Sequence, residues 1–297
     1  MATTGDKFAE RTRSKARNIG MRTDRVQQLY VKERVLYRLN EAFQGLMLKG
    51  GTVDYIRSPA TARFSPDLDL HLPERPDDFD ILVADILGRP YYDEHGVVDD
   101  GLEVRAVRCQ DLHVGDEPGV KMRLECWLGR TRVNLKIDFA FGGPDPDPLE
   151  VRSYPCMFPG VPGFLVRTQP VAYKIADKLH AMVEHGAGNT RVKDVWDIAW
   201  HMSRGTVTHD ELARAISHTF WSRGTEIDPA PAGLTAAWSV ANERAWAKWH
   251  AAVGMQQDRT LVETVEMIRQ PVLRALVRAR SLQSRREPHL HLVPSAA

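Results

Sequence analysis

The sequence predicts an α+β lobe built on a mixed sheet, followed by an α-helical lobe. Three observations carry this. Strand-like segments rich in Val, Leu, Ile and Phe, at Glu103 to Arg108, Val120 to Trp127 and Arg132 to Phe141, all precede residue 144. The segment GGPDPDP at 142–148 then breaks the chain, and from Pro170 to about Arg280 apolar residues recur at helical spacing. The division that follows is a basic mobile arm over 1–22, the α+β lobe over 23–150, the helical lobe over 151–280 and a tail over 281–297.

Taken in order, residues 1–22 are rich in Thr, Arg, Lys and Ser, hence the mobile arm. From Thr23 a helix follows, because Val26, Leu29, Tyr30, Val35, Leu36 and Leu39 form an apolar stripe and Thr23 or Asp24 can cap it. The apolar run Leu46-Met47-Leu48 leads into Gly50-Gly51, and Asp67-Leu68-Asp69-Leu70 alternates as a strand. Pro73 to Pro76 is a turn, and Asp77 to Leu87 a helix stopped by Gly88-Arg89-Pro90. Three strands separated by Gly and Asp clusters come next, the last one carrying Asp138. Tyr154 to Val166 is an apolar stretch broken by three prolines. Tryptophans 221, 238, 246 and 249, at helical spacing, read as core and contact surface.

A chain of 297 residues with 43% hydrophobic content can bury a substantial core. Its formal charge of +1 hides an asymmetry. Residues 1–40 hold ten Lys/Arg against four Asp/Glu, whereas residues 67–150 hold nine against twenty. A basic arm, densest at Arg11, Arg13, Lys15, Arg17, Arg22 and Arg25, beside an acidic lobe suits a protein that holds a polyanion near a metal. Cys109, Cys126 and Cys156 lack CxxC spacing and leave one cysteine over, which supports neither a disulfide framework nor a zinc site. With no apolar run long enough to span a bilayer and no secretory h-region, the expectation is a cytoplasmic protein without membrane contact.

The chemistry centres on residues 48–72. Residues two apart in a strand share a face, so Asp67 and Asp69 project together while Leu68 and Leu70 enter the core. Paired carboxylates repel unless a cation lies between them, and an oxygen-loving ion such as Mg2+ or Mn2+ fits. Gly50 and Gly51 can turn sharply and let backbone N–H groups approach a phosphate where a helix begins. A lone GG is ordinarily a turn and a lone DxD a solvated strand face; their combination is uncommon. Asp138, between Ile137 and Phe139, is costly to bury unless paired or metal-bound. Three acids can hold two metals, the arrangement for an in-line phosphoryl or nucleotidyl displacement.

The helical lobe adds a second constellation. Lys174 and Lys178 lie four apart on one face and call for an anion opposite, a triphosphate or simply solvent. Arg191, Lys193, Asp194 and Asp197 fall within two turns of a later helix, from which Asp194 can hold and preorganise Lys178.

The ordered blocks GGT, RFSPDLDL, KIDFAFGG, YKIADKLHAM and RVKDVWDIA resemble the AbiEii/AbiGii-type toxins, including the MenT-like ones, of the DNA polymerase β-like nucleotidyltransferase superfamily. The likeness covers roughly residues 45–200, and the order of five blocks makes it far more specific than any one. It implies a mixed-sheet catalytic lobe and a helical lobe, with transfer of a nucleotide from an NTP to RNA, a tRNA 3′ end in several members, and a cognate antitoxin. Carried over by position, Gly50 and Gly51 hold the triphosphate, Asp67, Asp69 and Asp138 bind metal, and Lys178 with Asp194 forms the helical-lobe pair. Ser65 is implied as a phosphate contact, with Lys174, Arg191 and Lys193 as accessory cations. Gly51 stands where the superfamily often has Ser. The competing readings are transfer to a protein hydroxyl or small molecule, and a catalytically silent RNA-binding module. Silence leaves three mutually repelling acids without a physical reason to stay together.

Overall fold

The computed structural model describes residues 2–284 except 90, 94–95, 115–116, 145 and 147, so the tail expected over 281–297 lies almost wholly outside the described residues. The chain forms two compact units, Met1–Pro170 and Val171–Ala297.

The first unit opens with α1 (Thr4–Ile19) and α2 (Thr23–Ala42). The mobile arm expected over 1–22 is therefore corrected. Thr3 caps α1 in a reciprocal box with Asp6, Gly20 ends it in the left-handed conformation at φ 65°, and Phe8, Ala9, Thr12 and Ala16 are buried. The Phe8 ring stacks on Tyr30 of α2 at 5.0 Å between centroids. The basic residues of the arm are also largely engaged: Arg13 and Arg17 pair with Glu10, Arg22 with Asp24, and Arg11 lies over the Phe8 and Phe158 rings.

Next come β1 (Met47–Lys49), α3 (Gly50–Arg57), β2 (Asp67–Leu72) and α4 (Phe79–Gly88). The short hairpin β3 (Tyr91–Asp93) and β4 (Gly96–Val98) is followed by the long strands β5 (Leu102–Val114), β6 (Glu117–Leu128) and β7 (Thr131–Phe141). The prolines at 155, 159 and 162 fall between two further strands, β8 (Glu150–Ser153) and β9 (Leu165–Thr168). These extend the sheet past residue 150, so the unit ends at Pro170, later than the sequence boundary.

The sheet has seven strands in the order β5-β6-β7-β2-β1-β9-β8. It is mixed, as expected: β2 runs parallel to β7 and β1 parallel to β9, while the other neighbours are antiparallel. One face is packed, with Leu68, Leu70, Met122, Leu124, Leu135, Ile137 and Phe139 all buried. Phe79 of α4 meets Phe139 and Phe141 edge-on at 4.9 and 5.0 Å, so the strands bearing the acids rest on a dense aromatic layer.

The second unit is helical: α5 (Val171–His185), α6 (Val192–Ser203), α7 (His209–Ser222), α8 (Ala236–Val253) and α9 (Leu261–Gln283). Thr208 with Glu211 and Thr260 with Glu263 close capping boxes on α7 and α9. Trp238 and Trp246 are buried in its core and Trp249 packs against it, but Trp221 is 44% exposed and belongs to the surface. No helix among the described residues is long and apolar enough to cross a membrane, and all three cysteines are free thiols.

Candidate active site

The parallel pairing of β2 with β7 decides the geometry of the acids. Asp69 lies directly beside Asp138, and Asp67 beside Lys136. Strand alternation sends Leu68, Leu70, Ile137 and Phe139 into the core, so Asp67, Asp69 and Asp138 share the opposite face. Two like charges at directly opposed sheet positions repel. The cost shows at Asp138, whose carboxyl pKa is raised, first by burial and further by Asp69 and Asp67, against the lowering effect of Lys121. Lys121 stands opposite Asp138 on β6 at 3.8 Å, while Asp138 Oδ1 is shielded from water and receives no hydrogen bond.

Gly50 and Gly51 begin α3 beside this edge, since β1 is the antiparallel neighbour of β2 and Lys49 pairs with Asp69. Gly50 has φ 67°, and a Cβ there would collide with the Asp69 carboxylate. A Cβ at Gly51 would lie 2.7 Å from the Ser65 Cβ and 2.8 Å from its Oγ. Glycine is thus required at both positions by close approach, and the first N–H groups of α3, which lacks a side-chain cap, open beside Asp69 and Ser65.

A residue that the sequence reading missed lies under this edge. Lys32 of α2, 1% exposed, donates from Nζ to the Ser65 carbonyl oxygen at 2.8 Å. Burial pulls its ammonium pKa down to about 8 even though Asp69 and Asp67 oppose the shift. The lysine ties the entry of β2 to α2 and places a positive charge near the two carboxylates.

The donor set fits a hard divalent cation. All three side chains offer oxygen only, and Asp138 Oδ1 is a shielded acceptor with no donor. Among the described residues no three Asp, Glu, His or Cys side chains close around one point, so the acids form an edge along two strands rather than a closed cage.

In the second unit, the predicted contact of Lys178 with Asp194 is present. Lys178 Nζ donates to Asp194 Oδ1 at 2.6 Å and also meets Asp197 Oδ2 at 2.7 Å, a partner not assigned from sequence. Arg191 Nε closes on Asp194 Oδ2 at 2.6 Å. Burial works to lower the Lys178 pKa, but Asp197 and Asp194 outweigh it and hold the ammonium above the ordinary lysine value. With two of its three N–H groups committed, Lys178 is a fixed donor at 12% side-chain exposure, with one N–H to offer. Lys193 is exposed, whereas Lys174, expected beside Lys178 as a phosphate contact, is only 2% exposed.

The family model of the AbiEii toxin, a nucleotidyl transferase of type IV toxin–antitoxin systems, matches residues 34–276. The chain belongs to the AbiEii nucleotidyl transferase toxin family. Among solved structures, a protein described provisionally as a nucleotidyltransferase from H. pylori aligns at 16% identity and TM-score 0.48, covering 87% of this chain and 96% of the other. JHP933 from Helicobacter pylori aligns at the same identity and TM-score, over 87% of this chain and 94% of its own. No protein of curated function matches the chain in sequence.

The AbiEii match spans both units and all five motif blocks. Within the first unit of this AbiEii chain the structure gathers Gly50, Gly51, Ser65, Asp67, Asp69 and Asp138, and adds Lys32. Within the second it gathers Lys178, Arg191 and Asp194, and adds Asp197. Asp197 was visible in sequence, three residues after Asp194. Lys32 was not, because its partner Ser65 is 33 residues away in a segment without regular structure.

Proposed function

We propose that this AbiEii chain transfers a nucleotide from an NTP to RNA, with a tRNA 3′ end as acceptor, and acts as the toxin against which a cognate antitoxin is directed. The observation that carries the reading is the pairing of Asp69 with Asp138 directly beside the glycine start of α3. Carboxylates and phosphate-binding N–H groups side by side are what a nucleotidyl transfer site needs.

Asp67, Asp69 and Asp138 are the residues to hold Mg2+ or Mn2+, and a bound divalent ion supplies charge stabilisation to the phosphates. The chain's own groups do the rest. Gly50 and Gly51 admit the triphosphate against the first N–H groups of α3, and Ser65 offers its hydroxyl beside them. Lys32 holds the loop before β2, so that Asp67 and Asp69 are placed before substrate arrives. Within the second unit, Lys178, oriented by Asp194 and Asp197, offers a fixed N–H to a phosphate group.

The test is to incubate the purified protein with each labelled NTP in turn, Mg2+ and total RNA. Label in the RNA fraction, dependent on Mg2+, is the expected result. Label in protein or in a small molecule, with none in RNA, would overturn the acceptor assignment, and no transfer of any kind would overturn the enzymatic reading.

A further inference from the structure

The face of the sheet that carries the acids also carries a row of cations. Register places Asp67 of β2 beside Lys136 of β7, Lys136 beside Arg123 of β6, and Arg123 beside Arg108 of β5. All three cationic residues are exposed and alternate with buried or part-buried Met122, Leu124, Leu135, Ile137, Val107 and Cys109, which fixes them on the acid-bearing face. Neighbouring strands lie about 4.8 Å apart, so the row runs about 10 Å straight across the strands away from Asp67.

Its charge is balanced at the inner end, where Lys136 stands beside Asp67 and works to lower the Asp138 pKa, and is left unpaired at Arg123 and Arg108. Further along the same strands the cations are neutralised locally, Arg132 by Glu125 at 2.8 Å and Arg105 by Glu103 at 2.8 Å. Arg108 and Arg123 form no ion pair among the described residues, although Arg123 has a cation directly opposite on each side, Arg108 and Lys136, and like charges so opposed destabilise a sheet. An arrangement that costs folding energy and is regular to the residue calls for a polyanion laid across it.

The strand order says which polyanion. Asp67 and Asp69 sit on β2, with β1 and the glycine start of α3 on one flank and β7, β6 and β5 on the other. The triphosphate belongs on the α3 flank. In an in-line displacement the attacking and leaving oxygens lie on opposite sides of the transferred phosphorus, so the acceptor approaches from the other flank, over the row. We infer that Lys136, Arg123 and Arg108 form the acceptor subsite, gripping consecutive phosphates of the single-stranded 3′ end of the RNA; this rests on the RNA reading above. No aromatic ring interrupts these three positions, so the grip is on the backbone and positions the end without selecting its sequence.

The test measures binding of a labelled single-stranded RNA oligonucleotide to the full chain by fluorescence anisotropy across a KCl series. Each phosphate contact contributes about 0.7 to the log–log salt slope for single strands, so R108Q/R123Q/K136Q should lower the slope by about 2 and weaken binding about tenfold or more at moderate salt. R108K/R123K keeps the charge and should retain most of the slope, while R105Q/R132Q, from the neutralised rows, should behave as the parent does. Relief of the like-charge row should leave the triple variant melting at or slightly above the parent.

An unchanged slope in the triple variant, an equal loss in R105Q/R132Q, or a parent chain that binds no RNA would each overturn the subsite. Label transfer run in parallel separates this from the reading on which it rests. Row-dependent RNA binding with label delivered to protein would keep the row as an RNA-binding surface but overturn its role as acceptor subsite, together with RNA as acceptor. RNA labelling with a row-independent salt slope would overturn the row and keep RNA as acceptor.

Discussion

Asp69 is the residue on which the contacts of the first unit converge: Asp138 opposite it, Gly50 against its carboxylate, and the charge of Lys32 within reach. Replacing it by Asn removes a repulsion with Asp138 but also one of the two carboxylates that keep Lys32 charged, so the two effects largely offset. Asp69→Asn should therefore abolish transfer while changing unfolding free energy by about 1 kcal/mol or less in metal-free buffer. The rise in melting temperature that Mg2+ gives the parent should vanish. Unfolding of the variant, with a parent that does not respond to Mg2+, would make the acid structural. Gly50→Ala fails for a different reason. Its φ of 67° and the collision with Asp69 act together, so a loss of about 1–3 kcal/mol should accompany loss of transfer, and calorimetry with the label assay reads both. At this scale the sequence was most legible, because a period of two places Asp67 and Asp69 on one face whatever the tertiary fold. Lys32 was hidden by the same kind of logic. It sits in a helix whose residues from Val26 to Leu39, apart from Gln28, are almost all buried, so no polar face marks it.

At the scale of elements, the cluster joining α5 to α6 sets Lys178 against two buried carboxylates, Asp194 and Asp197, with Arg191 on Asp194. Removing the lysine alone takes a bonded ammonium away from two carboxylates that are 2% and 0% exposed. Lys178→Met should therefore destabilise the helical unit by about 3–5 kcal/mol in denaturant titration, and the triple variant K178M/D194N/D197N should recover most of that without recovering transfer. A single variant as stable and active as the parent would show that the pair has neither role. The contact of Lys178 with Asp194 was readable from helical spacing on two segments of clear periodicity. The strands β8 and β9 were not, since each has only four residues and the prolines between them mask the pattern.

On the scale of the molecule, the division into a sheet unit and a helical unit followed from where the period changes, but its position depended on β9, which pairs with β1 more than a hundred residues earlier. The N-terminal segment shows the opposite failure. Its Arg and Lys content reads as a free arm, yet Phe8, Ala9 and Ala16 are enough to dock α1 once α2 supplies Tyr30, and the capping box at Thr3 and Asp6 was a signal that composition obscured. Deleting residues 1–22 should accordingly lower the melting temperature by on the order of 10 °C, as the loss of a buried aromatic and its neighbours requires, rather than acting on RNA alone. A truncated chain that melts with the parent would restore the free-arm picture. The cationic row was likewise invisible to linear charge counting, because Arg108, Arg123 and Lys136 lie within the most acidic stretch of the chain and meet only through strand register.

Transfer of a nucleotide by the acid edge of β2 and β7 requires a free hydroxyl at the RNA 3′ end. Its most direct measurement uses an α-labelled NTP, Mg2+ and tRNA whose 3′ terminus is either intact or oxidised by periodate, with the parent chain and Asp69→Asn compared side by side. Label on intact tRNA only, from the parent only, is the expected result. Label on periodate-treated tRNA as well, or undiminished label from Asp69→Asn, would contradict the account.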